Sequence, residues 1–170
     1  MLPNIDLRIA NMIKALEQVI LPALPSEQRL ARDQALLVSG HLRMLAGQWK
    51  SALRYEQVSL DDLSALAEVL LSDAPTPLGE RLETALAEAK ACDRACITAL
   101  ESVNIVLGRA VDTAILGGQD HLPLSQNAID AVLGYSQRHA RRERTWFQAN
   151  NLDPDREALP AIEAMLAEAG

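Results

Sequence analysis

Two cysteines stand four residues apart in the stretch ACDRACITAL, residues 91–100. Cysteines can form a redox pair or ligate a metal, but Cys92 and Cys96 have CxxxC spacing and not the CxxC of a redox motif. A pair at this spacing on one straight helix is poorly oriented for a disulfide, and a zinc site would need two further ligands. We therefore expect both cysteines to pack as small hydrophobic residues inside the apolar stripe of a helix.

A histidine falls inside an apolar stripe where leucine would be the ordinary residue. His41 lies near the middle of the stripe of the second predicted helix, with Gln34 and Gln48 seven residues on either side. This spacing brings the three polar groups to one helix face. Asp93 raises a similar question, because a charged residue is seldom buried without a partner. We expect it either at the edge of its stripe or against a partner.

A second histidine lies on the fifth predicted helix, where His139 and Glu143 are four residues apart and face the same way. Each of these polar groups can be a satisfied residue of the core or its boundary. Alternatively they form an interior polar layer, since bundle cores house metal and ligand sites. The tentative ligand-binding residues of that layer are His41, Gln34, Asp93, His139 and Glu143. No metal ligand, catalytic residue or cofactor is assigned, because the Glu-x-x-His pair of di-iron bundles is missing from the sequence.

The segment RHARRERTW, residues 138–146, is rich in arginine and could bind a phosphate or an acidic partner. Arg138, Arg141 and Arg142 occupy the polar arc of the predicted helix, however, and Glu143 is interleaved with them. A solvated basic face explains this pattern. An acidic partner or a nucleotide tail is the alternative.

The composition limits the classes of function. The chain has 170 residues, 49% of them hydrophobic, which is enough to build a core. Its net charge of −7 disfavours nucleic acid and anionic membranes as partners. A membrane span needs about 18 apolar residues in succession, and no such run exists, so the cytoplasm is the expected compartment. The sequence has no GxGxxG, Walker or GxSxG motif.

Proline, glycine and capping residues divide the chain into six predicted helices. They cover residues 5–21, 26–55, 60–70, 77–116 and 124–149, with a short sixth helix after Asp153. Asn4 and Thr76 are expected to start the first and fourth helices, and Gly117 with Gly118 to stop the fourth. The fourth would be about 60 Å long, so a kink or an early break is an open alternative.

These elements predict an all-α fold, an antiparallel bundle of about five to six helices, three of them long, in a single domain of residues 1–170. In the second helix one side is expected to face the core and the other to be solvated. The inward side comprises Leu30, Leu37, Val38, Leu42, Leu45, Trp49 and Ala52, and the solvated side Arg29, Arg32, Ser39, Arg43, Lys50 and Arg54.

The leading functional hypothesis is a non-enzymatic helical module that binds another protein or itself. A lone bundle of this size would leave several apolar side chains uncovered, namely Leu36, Leu116, Trp146 and Phe147. A homodimer joined along the fourth and fifth helices would cover them. The alternative hypothesis is a bundle that binds a metal or small ligand at the interior polar layer, with catalysis left open.

Residues 16–45, LEQVILPALPSEQRLARDQALLVSGHLRML, are faintly similar to uncharacterised helical proteins encoded beside aminoglycoside-phosphotransferase-like kinases and acyl-CoA dehydrogenases. The similarity covers only about the first third of the chain, and its motifs are generic. It implies a helical fold and transfers no function or site residue.

Overall fold

The computed structural model describes residues 4–116, 124–150 and 152–168, and within these ranges the protein contains helices and no strand. Seven α-helices have at least seven residues: α1 Ile5–Ala15, α2 Arg29–Gln48, α3 Ala52–Leu71, α4 Thr76–Ala91, α5 Ile97–Leu116, α6 Gln126–Trp146 and α7 Ile162–Glu168. The all-α prediction is confirmed, with seven helices instead of five to six. No helix of the described residues is long and apolar enough to cross a membrane. The predicted glycine stop at Gly117 and Gly118 lies outside the described residues.

Helix α1 begins at its predicted cap, where the Asn4 side chain accepts a hydrogen bond from the Leu7 amide at 2.8 Å. It continues through a π-helical turn, Leu16–Ile20, into a last short turn, Leu21–Ala23. Pro22 in that short turn has no amide hydrogen to donate, which prevents a regular α-helical continuation. The amide of Leu21 bonds instead to the carbonyl of Leu16, five residues back.

The chain folds into two compact units. The first unit comprises Met1–Ser51 and Glu143–Ile162, and the second comprises Ala52–Arg142 and Glu163–Gly170. Helices α1 and α2 belong to the first unit, and α3, α4 and α5 belong to the second. The organisation of the chain as a single domain stays a prediction.

In the first unit α2 packs on α1 with the side that was expected to be solvated. Its buried residues are Ala35 and Ser39, and Ile9 is the buried residue of α1. The Ser39 hydroxyl donates to the carboxylate of Glu17, and Arg43 forms an ion pair with the same carboxylate at 2.6 Å. The predicted sidedness of α2 was therefore wrong. Small side chains on this arc allow close approach of α1, whereas the leucine-rich arc lies outside.

Helix α2 also ends earlier than expected, so the predicted helix 26–55 was wrong. The amide of Ser51 bonds to the carbonyl of Gln48, and α3 starts at Ala52. The next two side chains after α2 are both bound to α1. The indole N–H of Trp49 and the ammonium of Lys50 donate to the carboxylate of Asp6 at 2.9 and 2.7 Å. We attribute the break to these contacts, which the local sequence does not reveal.

The core of the second unit lies among α3, α4 and α5, which pack against one another and are joined by short turns. Short connections make successive helices antiparallel neighbours. The most deeply buried leucines are Leu60, Leu70, Leu82, Leu100 and Leu107. Alanines fill the narrow places between these helices, and Ala128 of α6 also belongs to the cluster. The leucines supply most of the apolar area that stabilises this unit.

The predicted helix 77–116 is broken at residues 92–96, so the expectation that both cysteines lie within a helix was wrong. Cys92 has extended backbone angles and ends α4. The carboxylate of Asp93 accepts from the amide of Ala95 at 2.9 Å, and the Asp93 carbonyl accepts from the amide of Cys96 at 3.1 Å. Aspartate competes in this way with helical hydrogen bonding. Asp93 therefore ends α4 and forms the turn that leads into α5.

Candidate functional site

The structure places the five predicted site residues on three different segments. Gln34 and His41 are exposed on α2 in the first unit, and Asp93 is exposed in the turn between α4 and α5. His139 and Glu143 lie on α6 and are both half-buried. Asp93 is held by its own turn, while the described contacts of His139 are with Tyr135 and Arg142. Gln34, His41 and Asp93 do not lie in an interior layer.

Gln34 and His41 instead belong to an exposed apolar surface, which we call the α2 face. It consists of Leu30, Gln34, Leu37, Val38, His41 and Leu45, all of them exposed. The exposed fractions of its leucines are 73% for Leu30, 52% for Leu37 and 46% for Leu45. Large apolar side chains scattered singly need no explanation, whereas a contiguous exposed row on one helix is unusual in a single chain.

Seven-residue spacing orders the α2 face. Leu30 and Leu37 form one row, and Gln34 and His41 form the row beside it. These rows correspond to the d and a positions of a heptad, the seam along which two helices pack in a coiled coil. A polar residue at an a position lowers stability but specifies register and the number of chains.

Two glycines border the α2 face at the same seven-residue spacing. A methyl group added at Gly40 or Gly47 would have no atom of the described residues within 4 Å, apart from the backbone of its own helix. Packing within the chain therefore does not require glycine at either position. Glycine inside a helix costs roughly 0.5–1 kcal/mol relative to alanine. The surface of α2 is therefore open at both glycines.

The sequence predicted that four apolar side chains would stay uncovered in a single chain, and three of them are exposed. The exposed fractions are 56% for Leu36, 79% for Leu116 and 43% for Phe147, while Trp146 is half-buried. Leu36 lies on α2 beside Gly40 and Gly47 in the helical projection.

In the second unit α3, α6 and α7 enclose a cleft of about 380 Å³ that contains an ion-pair network. The carboxylate of Asp62 accepts from Arg138 Nε at 2.8 Å and from Arg142 at 3.1 Å. Only 5% of the Arg142 side chain is exposed, and its Nε has no hydrogen-bond partner among the described residues. The prediction of a solvated basic face was therefore wrong for Arg142, because an aspartate of α3 meets it. Spacing on α6 could not reveal this partner.

His139 stacks on Tyr135 with ring centroids 5.5 Å apart, and its Nδ1 lies 3.4 Å from a guanidinium nitrogen of Arg142. Because a guanidinium can only donate, Nδ1 is the acceptor in this contact.

A groove runs among α3, α5 and α6 in the second unit, with a volume of about 720 Å³. We call it the acidic groove, because three carboxylates line it: Glu56, Glu101 and Asp112. None of the described residues that line it is lysine or arginine. Its apolar lining includes Leu63, Leu66, Ile105, Val111, Ile115 and Val132. His139 and Ser136 lie at the α6 side.

Asn104 is the polar residue of the acidic groove that the sequence analysis did not select. Its side-chain nitrogen donates to the carbonyl and the carboxylate of Glu56 at 3.1 and 2.8 Å. Its side-chain oxygen is buried and has no hydrogen-bond partner in the part of the chain that the structure describes. A buried acceptor without a partner is costly, so Asn104 lowers the stability of this part of the protein.

Metal binding finds no support in the geometry, since no group of three or more His, Cys, Asp or Glu in the described parts of the chain is placed to hold an ion. Comparisons with known proteins yield no assignment either. No family model matches the chain, and neither the curated proteins nor the solved structures provide a significant match.

Proposed function

We propose that this protein is a non-enzymatic helical interaction module that associates with a second copy of itself through the α2 face. The observation that carries the proposal is the row of exposed leucines on α2, opposite the side that packs on α1. An association along α2 would remove these side chains from water, with a gain of about 25 cal/mol for each Å² of apolar area.

A second copy is favoured over a charged partner because the α2 face is uncharged. Its six residues include no Asp, Glu, Lys or Arg, although the chain as a whole carries a net charge of −7. Like charges of two copies would therefore not meet at the seam. The a and d rows are also complementary to a copy of themselves, as a symmetric dimer requires.

The alternative function, a bundle that binds a small ligand at an interior polar layer, has less support because Gln34, His41 and Asp93 are exposed. For the proposed association we expect the cytoplasm, since Cys92 and Cys96 are free thiols and reducing compartments keep thiols in that state.

The association is tested by placing a charge in the centre of the α2 face. We expect Leu37→Glu to weaken dimerisation by at least about a hundredfold, because a carboxylate would be buried in an apolar seam. Light scattering across a concentration series measures the change. Circular dichroism should stay the same, since Leu37 is already exposed within the single chain.

Leu152→Glu is the matched control, because Leu152 is 83% exposed, belongs to the same unit and lies outside α2. It makes the same chemical change and should leave the mass in solution unaltered. Equal weakening by both variants, or a single-chain mass for the unmodified protein at every concentration, would rule out the α2 face as a self-association surface.

A further inference from the structure

The acidic groove has the dimensions of a site for a helix. Its α5 side extends from Glu101 to Ile115 and includes residues at spacings of three and four, so one full face of α5 lines it. At 1.5 Å per residue this side is roughly 20 Å long. Residues of α3 and α6 form the other sides. A long groove between helices, with an apolar lining, accepts the apolar face of an amphipathic helix.

The charges of the groove select among such helices. Glu101 and Asp112 are exposed carboxylates on α5, eleven residues apart and therefore on the same side of the helix. Glu56 adds a third carboxylate from α3 and is hydrogen-bonded to Asn104. A ligand with lysine or arginine along its polar flank would pair with these groups, whereas an acidic one would be repelled.

A glycine in the floor of the groove fits a bound helix. Gly108 lies in the lining of the groove, and a methyl group added there would have only Leu63 Cδ2 within 4 Å, at 3.9 Å. The absence of a side chain at this point keeps the floor open for an apolar anchor.

We infer that the acidic groove binds an amphipathic helix of a partner protein, with leucine-like side chains toward the groove and lysine or arginine on its flank. This site is in the second unit and does not depend on the α2 face, so either proposal can fail alone.

Synthetic helical peptides test the inference on the full chain. The probe is a labelled peptide of about five turns with a leucine face and lysine flanks. One comparison peptide carries glutamate in place of lysine, and another has the same lysine and leucine content in scrambled order. In fluorescence anisotropy we expect the lysine-flanked peptide to bind at least about tenfold more tightly than either comparison peptide. Equal affinity for the lysine peptide and its scrambled form would overturn the inference.

A matched pair of double variants separates the groove from general attraction to an acidic protein. Glu101→Lys with Asp112→Lys should weaken binding by at least about tenfold. Glu83→Lys with Glu88→Lys changes the net charge equally on exposed positions of α4 and should have no more than about a twofold effect. Equal loss in both pairs, or no loss in either, would contradict a site in the groove.

Gly108→Leu provides an independent variant without a change in charge. Its side chain would occupy the floor of the groove, so we expect a loss of about fivefold or more in affinity for the lysine peptide. Circular dichroism establishes that each variant remains folded. Unchanged binding by folded Gly108→Leu would exclude the groove as the site of docking.

Discussion

At the scale of single residues, Cys96 has the surroundings of a helix cap and not those of a core side chain. It precedes the first residue of α5, and its Sγ lies 3.2 Å from the hydroxyl of Thr98. That hydrogen bond, with those from the amides of Ala99 and Thr98, lowers the pKa of the Cys96 thiol below its ordinary value. Cys92 is different, because it packs against the core of the second unit.

We therefore expect Cys96 to be alkylated in the native protein faster than Cys92, with a rate that rises at lower pH than for an ordinary thiol. Cys96→Ser should leave the urea midpoint of unfolding nearly unchanged, because serine is a favoured residue at the start of a helix. Mass spectrometry after timed alkylation gives the two rates. If both thiols were protected from alkylation in the native protein, Cys96 would be a core residue, and Cys96→Ser would then be destabilising.

Asp153 provides a residue-scale prediction of pH dependence. Arg144 donates to both of its carboxylate oxygens, at 2.7 and 3.0 Å, and the amide of Asp155 donates as well. The hydrogen bonds from the Arg144 guanidinium are the main reason that the pKa of Asp153 in the folded protein is below its ordinary value. The folded pKa is below the unfolded value of about 4. The ionised Asp153 carboxylate therefore stabilises the folded protein, and its contribution is fully present at pH values above that unfolded pKa. It is lost as the pH falls through the folded pKa.

Asp153→Asn should consequently be less stable than the natural chain at pH 7, and the difference should shrink in acid. Urea midpoints of both proteins, measured from pH 7 downward, follow the change. A difference that stayed constant at all pH values would show that the charge of Asp153 is not what stabilises this contact.

At the scale of elements, periodicity located the two sides of α2 but not which of them is covered. The apolar arc around His41 is real, yet Ala35 and Ser39 on the opposite arc are the buried residues. Hydrophobic content favours burial of the leucine-rich side of α2. The side that is actually buried is the opposite one, because its small side chains fit against α1. The break at Asp93 was missed for a related reason. Its capping hydrogen bond uses an ordinary aspartate, and no proline or glycine marks the turn.

Asp62 joins α3 to α6 through Arg138 and Arg142, and its side chain is only 12% exposed. Removing it would leave Arg142 buried without its counter-charge, so Asp62→Ala should lower the free energy of unfolding by about 3–5 kcal/mol. Asp61→Ala is the control, because the Asp61–Arg94 pair is about half exposed and such pairs contribute about 0–1 kcal/mol. Urea unfolding compares them.

The double variant Asp62→Leu with Arg142→Met completes this comparison. It removes both charges together and should regain most of the lost stability, since apolar replacement of a buried pair is often neutral. Equal, small effects of Asp61→Ala and Asp62→Ala would mean that water enters the cleft and screens the pair.

At the scale of the whole molecule, composition and helical periodicity were sufficient to predict the all-α fold. Asn4 as the cap of the first helix was also predicted correctly. The candidate surfaces were less accessible from sequence, because they depend on which helices meet. The partner of Arg142 lies 80 residues away along the chain, and Asn104 reaches Glu56 across 48. No local pattern encodes such pairs.

The central claim, that α2 contacts α2 of a second copy, is tested most directly by photo-crosslinking. A photoreactive amino acid is placed at position 41, in the middle of the α2 face, and the variant is mixed with isotopically heavy natural chain. Mass spectrometry then identifies cross-links that join light and heavy chains. We expect these cross-links to end within Arg29–Gln48 of the heavy chain. Cross-links that end on other helices of the heavy chain, or none between chains, would contradict the account.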